Sequence, residues 1–335
     1  MPRRALVPVS AALVLALLVA ACASTAPTSA PTPSVAFVPT VAPSITPSRP
    51  PLVIPASLPA RTIGVNLGGE TNGVTVCAGS VWVAYYDLGA DHVAQIDPVT
   101  GTILGLVEGG INTACFDDEP WVAATTAVQH IDPTTRAVLA SVPLDKAYYV
   151  GIGAGSVWSA SRQDVVRINP ATASIVATIP IGAGFDVTEV DGNDEAVWAT
   201  VKLADTVFRV DPATNTVVAK VPAGGNAHGI LVQPDAVWIS NADEDSVTRV
   251  DPATNTTTSI EGTGSGVGLA EGAGFVWASR REGDVNRIDP ATNAATLVGH
   301  LDGWPYGIGF LDGVLWVTDG IGAVFGIPIA AWLPS

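Results

Sequence analysis

Of the four histidines in this chain, His228 falls at a position that could face a ligand. Histidine is the side chain that exchanges a proton near neutral pH. As a general base or a metal ligand it needs a carboxylate or a second donor oriented toward it. No such partner is fixed by the spacing around it, so it reads as a solvated channel histidine. A second constellation is Asn72, Asn112 and Asp186, whose oxygens could converge on a cation. Hard cations take several oxygens and usually more than one carboxylate, and this set has one, so no cofactor is expected there. The acidic runs at Asp117–Glu119, Asp191–Glu195 and Asp243–Asp245 lack the spacing of a calcium loop and read as exposed hairpins. His92, His130 and His300 have no partner at a ligating spacing and read as surface residues.

The elements that position these residues are written in a repeat. A tryptophan ends a short apolar run seven times, at Trp82, Trp121, Trp158, Trp198, Trp238, Trp277 and Trp316, with gaps of 37 to 40 residues. Each of the first six is followed by an Asp/Asn-Pro turn, at Asp97, Asp132, Asn169, Asp211, Asp251 and Asp289. Between these marks each unit holds four β-rich runs separated by turn residues. Four antiparallel strands per repeat, seven times over, predict an all-β fold, a seven-bladed β-propeller, with the tryptophans wedged between neighbouring sheets. The seventh repeat lacks a fourth strand, and Arg61–Leu67 reads as an orphan strand that completes it and closes the ring.

In a propeller the first strand of each blade starts at the rim of the central channel. Ten residues before each tryptophan, nine in the second repeat, mark that start: Asn72, Asn112, Tyr148, Thr188 with Asp186 just ahead of it, His228, Val267 and Tyr306. Three residues after each tryptophan the second strand is expected to return to the same face, at Tyr85, Ala124, Ser161, Val201, Asn241, Arg280 and Asp319. The repeat does not fix these side chains. With Trp304 they predict a polar, aromatic mouth suited to a small polar ligand, a glycan or a peptide.

The pattern Gly-Ile, six residues, Val-Trp, then Val-x-Arg-Ile-Asp-Pro-Ala-Thr-Asn resembles the YVTN-repeat (YncE-like) β-propellers over residues 61 to about 328. More loosely the chain is similar to the virginiamycin B lyases. That second resemblance implies catalysis by a His at the start of a blade's first strand, a Glu at the end of the same blade's second strand, and a bound Mg²⁺. The matching pair here is His228 and Asn241, and the seventh repeat offers Tyr306 and Asp319. No repeat has His and Glu at these two positions, so the resemblance does not carry the activity with it.

Residues 1–21 read as an export signal: Arg3 and Arg4, a short apolar stretch, then small residues. Val19-Ala20-Ala21-Cys22 resembles the lipobox of bacterial lipoproteins, which implies a lipid on Cys22 and anchoring to the outer side of the cell membrane. Residues 22–60, rich in Pro, Thr, Ser and Ala, read as a linker, 61–328 as the propeller and 329–335 as a tail. Cys77 and Cys115 fall at corresponding places in adjacent repeats, and outside the cytoplasm they either pair or stay as buried thiols. A net charge of −16 makes nucleic acid a poor partner. The expected role is binding of a surface protein, peptide, glycan or small polar molecule by a monomer. The alternatives are metal-assisted lyase or hydrolase chemistry at the same mouth, and a scaffold for an envelope complex.

Overall fold

The computed structural model describes residue 52 and residues 54–334, apart from 183, 185, 202, 264 and 265. The residues read as signal, Cys22, and residues 23–51 and 53 of the stretch read as linker lie outside the described residues. Within it the chain forms seven four-stranded antiparallel sheets. Blades 1 to 6 run from Glu70 to Glu108, Gly110 to Pro143, Ala147 to Pro180, Val187 to Pro222, Ala227 to Glu261 and Gly266 to His300. Blade 7 takes three strands from Ile308–Pro328 and its outermost strand from Ile63–Asn66, which pairs Ile63 with Gly326 and Asn66 with Ala323. The ring is thus closed by both ends of the propeller, which leaves no unmatched strand at the seam.

Each second strand has blade on both sides, and its sequence shows it: Ser156–Ser161 is buried at every position. The seven repeat tryptophans are at most 1% exposed. Trp82, Trp158 and Trp277 donate their indole N–H to the carbonyl five residues earlier, and Trp238 donates to Gln233 Oε1. A wedge of this size, buried on both faces, is the chief packing element of each blade; truncating one to alanine costs about 3–5 kcal/mol.

The turn motif has its own physical logic. In Asp251-Pro252-Ala253-Thr254-Asn255 the Asp251 carboxylate accepts the backbone N–H groups of Ala253 and Thr254, at 2.8 and 3.2 Å. These bonds favour the ionised form and hold its pKa below the ordinary carboxylate range, as they do at Asp97, Asp132 and Asp211. Asn255 then takes φ +56°, the left-handed position that asparagine tolerates. The arginine of the motif joins one blade to the next. Arg167 lies over the ring of Trp158 at 5.2 Å and donates to Pro212 O and Asn215 Oδ1 of blade 4. Arg209 repeats this toward Pro252 O and Asn255 of blade 5, and Arg249 reaches Asn293 of blade 6.

Cys77 and Cys115 are joined by a disulfide between blades 1 and 2, with Cα atoms 5.3 Å apart. The segments flanking the ring also pack on it. Leu58 is buried and Leu52 rests against the same cluster as Ile329 and Trp332 of the short helix Ile329–Trp332. The ends of the stretches read as linker and tail are therefore docked on the propeller. No helix among the described residues is long and apolar enough to cross a membrane.

Candidate functional site

The first strands of blades 1 to 6 share one irregularity. Each slips register at its start: between Thr71 and Val74, Gly110 and Asn112, Ala147 and Tyr149, Val187 and Val190, Ala227 and Ile230, and Gly266 and Leu269. A bulge re-aims the side chains around it, and these bulges carry Asn72, Tyr148, Thr188 and His228. The backbone there is tied down by buried hydroxyls two residues after the tryptophan. Thr200 Oγ1 accepts from Glu189 N–H and donates to His228 O of the next blade, at 3.1 and 2.6 Å. Ser240, Ser279 and Thr318 do the same, ending on the carbonyls of Val267, Tyr306 and Asn72. Each rim residue in this half of the ring is held by the blade before it.

The outcome is a mouth of about 510 Å³ lined by Asn72, Ile111, Tyr148, Tyr149, Asp186, Thr188, Asn226, His228, Arg281 and Tyr306. The structure thus brings together six of the predicted rim residues: Asn72, Tyr148, Asp186, Thr188, His228 and Tyr306. Asn112 sits one residue deeper. Ile111 takes the rim position, and the Asn112 amide oxygen accepts Val150 N–H of blade 3 at 3.1 Å. Asn72, Asn112 and Asp186 therefore do not form one cation site.

The residues predicted on the second strand do not line the mouth. That strand is flanked by its neighbours in the sheet and by the adjoining blades, so the position three residues after the tryptophan is buried in every blade but the sixth, where Arg280 is partly exposed. Tyr85 packs on His92 in the core, where burial, with Asp87 and Glu108, pushes its phenol up to about 12. Asn241 is fully buried, donates to Ser246 and Thr248 hydroxyls and accepts Gly224 N–H. Asp319 is buried and its Oδ1 accepts the N–H groups of Ile321, Gly322 and Ala323. Arg280 is taken up by Asp245, Glu282 and Asp284. Trp304 is 68% exposed and lines an adjoining shelf with Thr71, Asn72, Arg281 and Tyr306.

The larger correction concerns His228, whose partner comes from the preceding blade. Glu189 Oε1 stands 3.5 Å from His228 Nδ1, while Glu189 Oε2 accepts Ile230 N–H at 3.1 Å. Tyr306 Oη lies 3.4 Å from His228 Nε2 and 3.3 Å from Tyr149 Oη. Tyr149, Tyr306 and His228 thus form a belt across the channel, between the mouth and an inner chamber of about 310 Å³. Burial holds both phenols protonated well beyond neutral pH. Asp191, read as part of an exposed loop, is on the inner strand Val187–Gly192 and faces the chamber. Burial pushes it up to about 7 against the pull of its bond from Val232 N–H.

Glu189 had a sequence signal. Nine residues before each tryptophan stand Gly73, Asn112, Tyr149, Glu189, Gly229, Gly268 and Gly307. Glycine is required where inner strands crowd: a Cβ on Gly229 would fall 1.7 Å from Val267 O. The three departures from glycine all line the chamber. The remaining histidines are paired too: His92 with Glu108, His130 with Glu119 while stacked on Trp121, and His300 with Asp284. His92 and His130 are largely covered, contrary to the surface reading.

The donor set does not fit a resident divalent ion. Among the described residues no three His, Cys, Asp or Glu side chains converge as ligands, and Glu189 and Asp191 each spend an oxygen on a backbone N–H.

The fold and this channel define a seven-bladed β-propeller with a polar mouth. Solved structures of that shape include virginiamycin B lyase from Staphylococcus aureus, at 17% identity and a TM-score of 0.66, covering 80% of this chain and 99% of that one. The Pan2 WD40 domain of Neurospora crassa gives 10%, 0.65, 82% and 98%, and the RRP9 WD40 repeats give 13%, 0.68, 79% and 97%. No protein-family model and no curated protein sequence matches the chain. At these identities the likeness is one of fold.

Proposed function

We propose that this protein is a ligand-binding propeller of the YVTN-repeat kind, exported and held by a lipid on Cys22 at the outer side of a bacterial membrane. Its site is the channel mouth. One observation carries the binding reading: six side chains that the repeat does not dictate, Asn72, Tyr148, Asp186, His228, Arg281 and Tyr306, converge on one recess from six different blades or the connections that enter them. Their mixture of amide, phenol, carboxylate, imidazole and guanidinium offers directional hydrogen bonds beside aromatic faces, which suits a small polar molecule or the end of a glycan or peptide. Thermal-shift screening of the full chain against small polar compounds tests it. A binder whose stabilisation is lost in Tyr148→Ala and Arg281→Gln supports the reading; binders indifferent to both variants refute it.

A second reading rests on the His228–Glu189 contact. A histidine with a carboxylate oxygen 3.5 Å from one nitrogen and a phenol oxygen 3.4 Å from the other has the neighbours a general base uses. The S. aureus lyase shares the fold, so turnover of virginiamycin B by the purified protein is the direct trial. Turnover abolished by His228→Ala would establish this reading, and an inert wild type would remove it.

A further inference from the structure

Trp304 differs from every repeat tryptophan. The seven are at most 1% exposed, whereas 68% of Trp304 faces solvent. It is no loose tip: its N–H donates to Asp319 O at 2.7 Å, and the following Tyr306 N–H returns to Thr318 O at 3.3 Å. The flanking Pro305 is buried and restricts the backbone further. The indole stands over a shelf of about 590 Å³ that shares Asn72, Arg281 and Tyr306 with the mouth, so the two recesses are continuous.

We propose that the ligand of this site is a neutral carbohydrate chain, one sugar ring stacked on Trp304 and the next reaching into the mouth; this rests on the binding reading above. A pyranose has a face of C–H groups and an equatorial rim of hydroxyls. The C–H face matches the negative face of an exposed indole. The hydroxyl rim matches side chains that present two polar atoms side by side: Asn72 and Asp186 at the mouth and the Arg281 guanidinium between mouth and shelf. The charges nearby are Arg281 against Asp186, Glu70 and Glu282, within a chain of net charge −16, which favours an uncharged ligand over an anionic polymer. An extended peptide would look for a free sheet edge. At the blade 7 to blade 1 seam beneath the shelf, the Gly320 N–H that would meet such a strand already donates to Thr71 Oγ1.

Acrylamide quenching of tryptophan fluorescence reads this site, because Trp304 is the one strongly exposed tryptophan among the described residues. Cellotriose, maltotriose and chitotriose are titrated into the full chain, and calorimetry repeats each titration with Trp304→Ala, whose exposed position spares the fold. The expected result is saturable protection by at least one trisaccharide and an affinity loss of about tenfold or more in the variant. Trisaccharide binding unchanged in Trp304→Ala overturns the inference. If the trisaccharides fail while a small polar compound or acetylated dipeptide binds through Arg281 and Tyr148, the carbohydrate inference falls and the binding reading stands. If no compound of any class binds the mouth, both fall.

Discussion

Replacing Thr200 with valine keeps the side-chain shape and removes one hydroxyl. That hydroxyl is fully buried, accepts from Glu189 N–H at 3.1 Å and donates to His228 O at 2.6 Å. The variant leaves a donor and an acceptor unpaired between blades 4 and 5. Each buried polar group left unmatched costs about 1–3 kcal/mol, so a total of roughly 2–4 kcal/mol follows once the strands relax. In a domain of this size each kcal/mol moves the melting point by about 2–4 °C, and Tm should fall by about 4–16 °C. The loss should be local as well as global. Hydrogen exchange measured by mass spectrometry should speed up first in the peptides covering Val187–Val201 and Ala227–Val232, before the second strand of any other blade. Thr200→Ser keeps the hydroxyl and should fall by no more than about 1.5 kcal/mol. A Thr200→Val protein that melts within about 1 °C of wild type, with unchanged exchange in both strands, would refute the reasoning that this hydroxyl fixes the rim.

Asp191 carries a pH prediction. Its folded pKa of about 7 lies above the unfolded 3.8, so the native state holds the extra proton between those values and stability falls as pH rises from about 4 through 7. Asp191→Asn should flatten that decline, which amounts to at most about 4 kcal/mol; an undiminished slope in urea melts at pH 4.5 and 7.5 would contradict the assignment. Trp238→Ala should lose about 3–5 kcal/mol in denaturant unfolding, and a loss below about 1 kcal/mol would deny the wedge its role. Arg209→Met keeps the stem over Trp198 but removes the bonds to blade 5; a loss of about 1–3 kcal/mol is expected, and none would show the clasp to be incidental. Converting Cys77 and Cys115 together to serine opens a 38-residue link and should lower stability by about 3–4 kcal/mol, read from urea midpoints against wild type under oxidising conditions; equal midpoints would deny the crosslink its contribution.

The sequence disclosed the fold because packing repeats. A tryptophan wedge recurs in every blade and an Asp/Asn-Pro turn in the first six, so the period of the wedge counts the blades and the missing turn after Trp316 marks the seam. The site was legible only in part, since it depends on which neighbour faces which. Asn72, Tyr148, Asp186, His228 and Tyr306 could be placed by their offset from the tryptophan. Asn241 and Asp319 could not, because the offset says which end of the strand they occupy and not that loops are pinned to them there. Glu189 was missed because His228 was paired within its own blade, whereas a propeller brings side chains together across blades. The glycine position nine residues before the tryptophan, filled by Asn112, Tyr149 and Glu189 in three consecutive blades, was the mark of the channel lining.

The central claim is that the mouth between Asn72, Tyr148, Asp186, His228, Arg281 and Tyr306 is where this protein meets its ligand. A crystal structure of the full chain grown with the tightest compound from the binding screens tests it most directly. The account predicts ligand density in that recess, with a polar atom of the ligand within hydrogen-bond distance of Arg281 or Asn72. Density seated instead on the outer strands or on the opposite face of the ring, with the mouth filled by water alone, would contradict it.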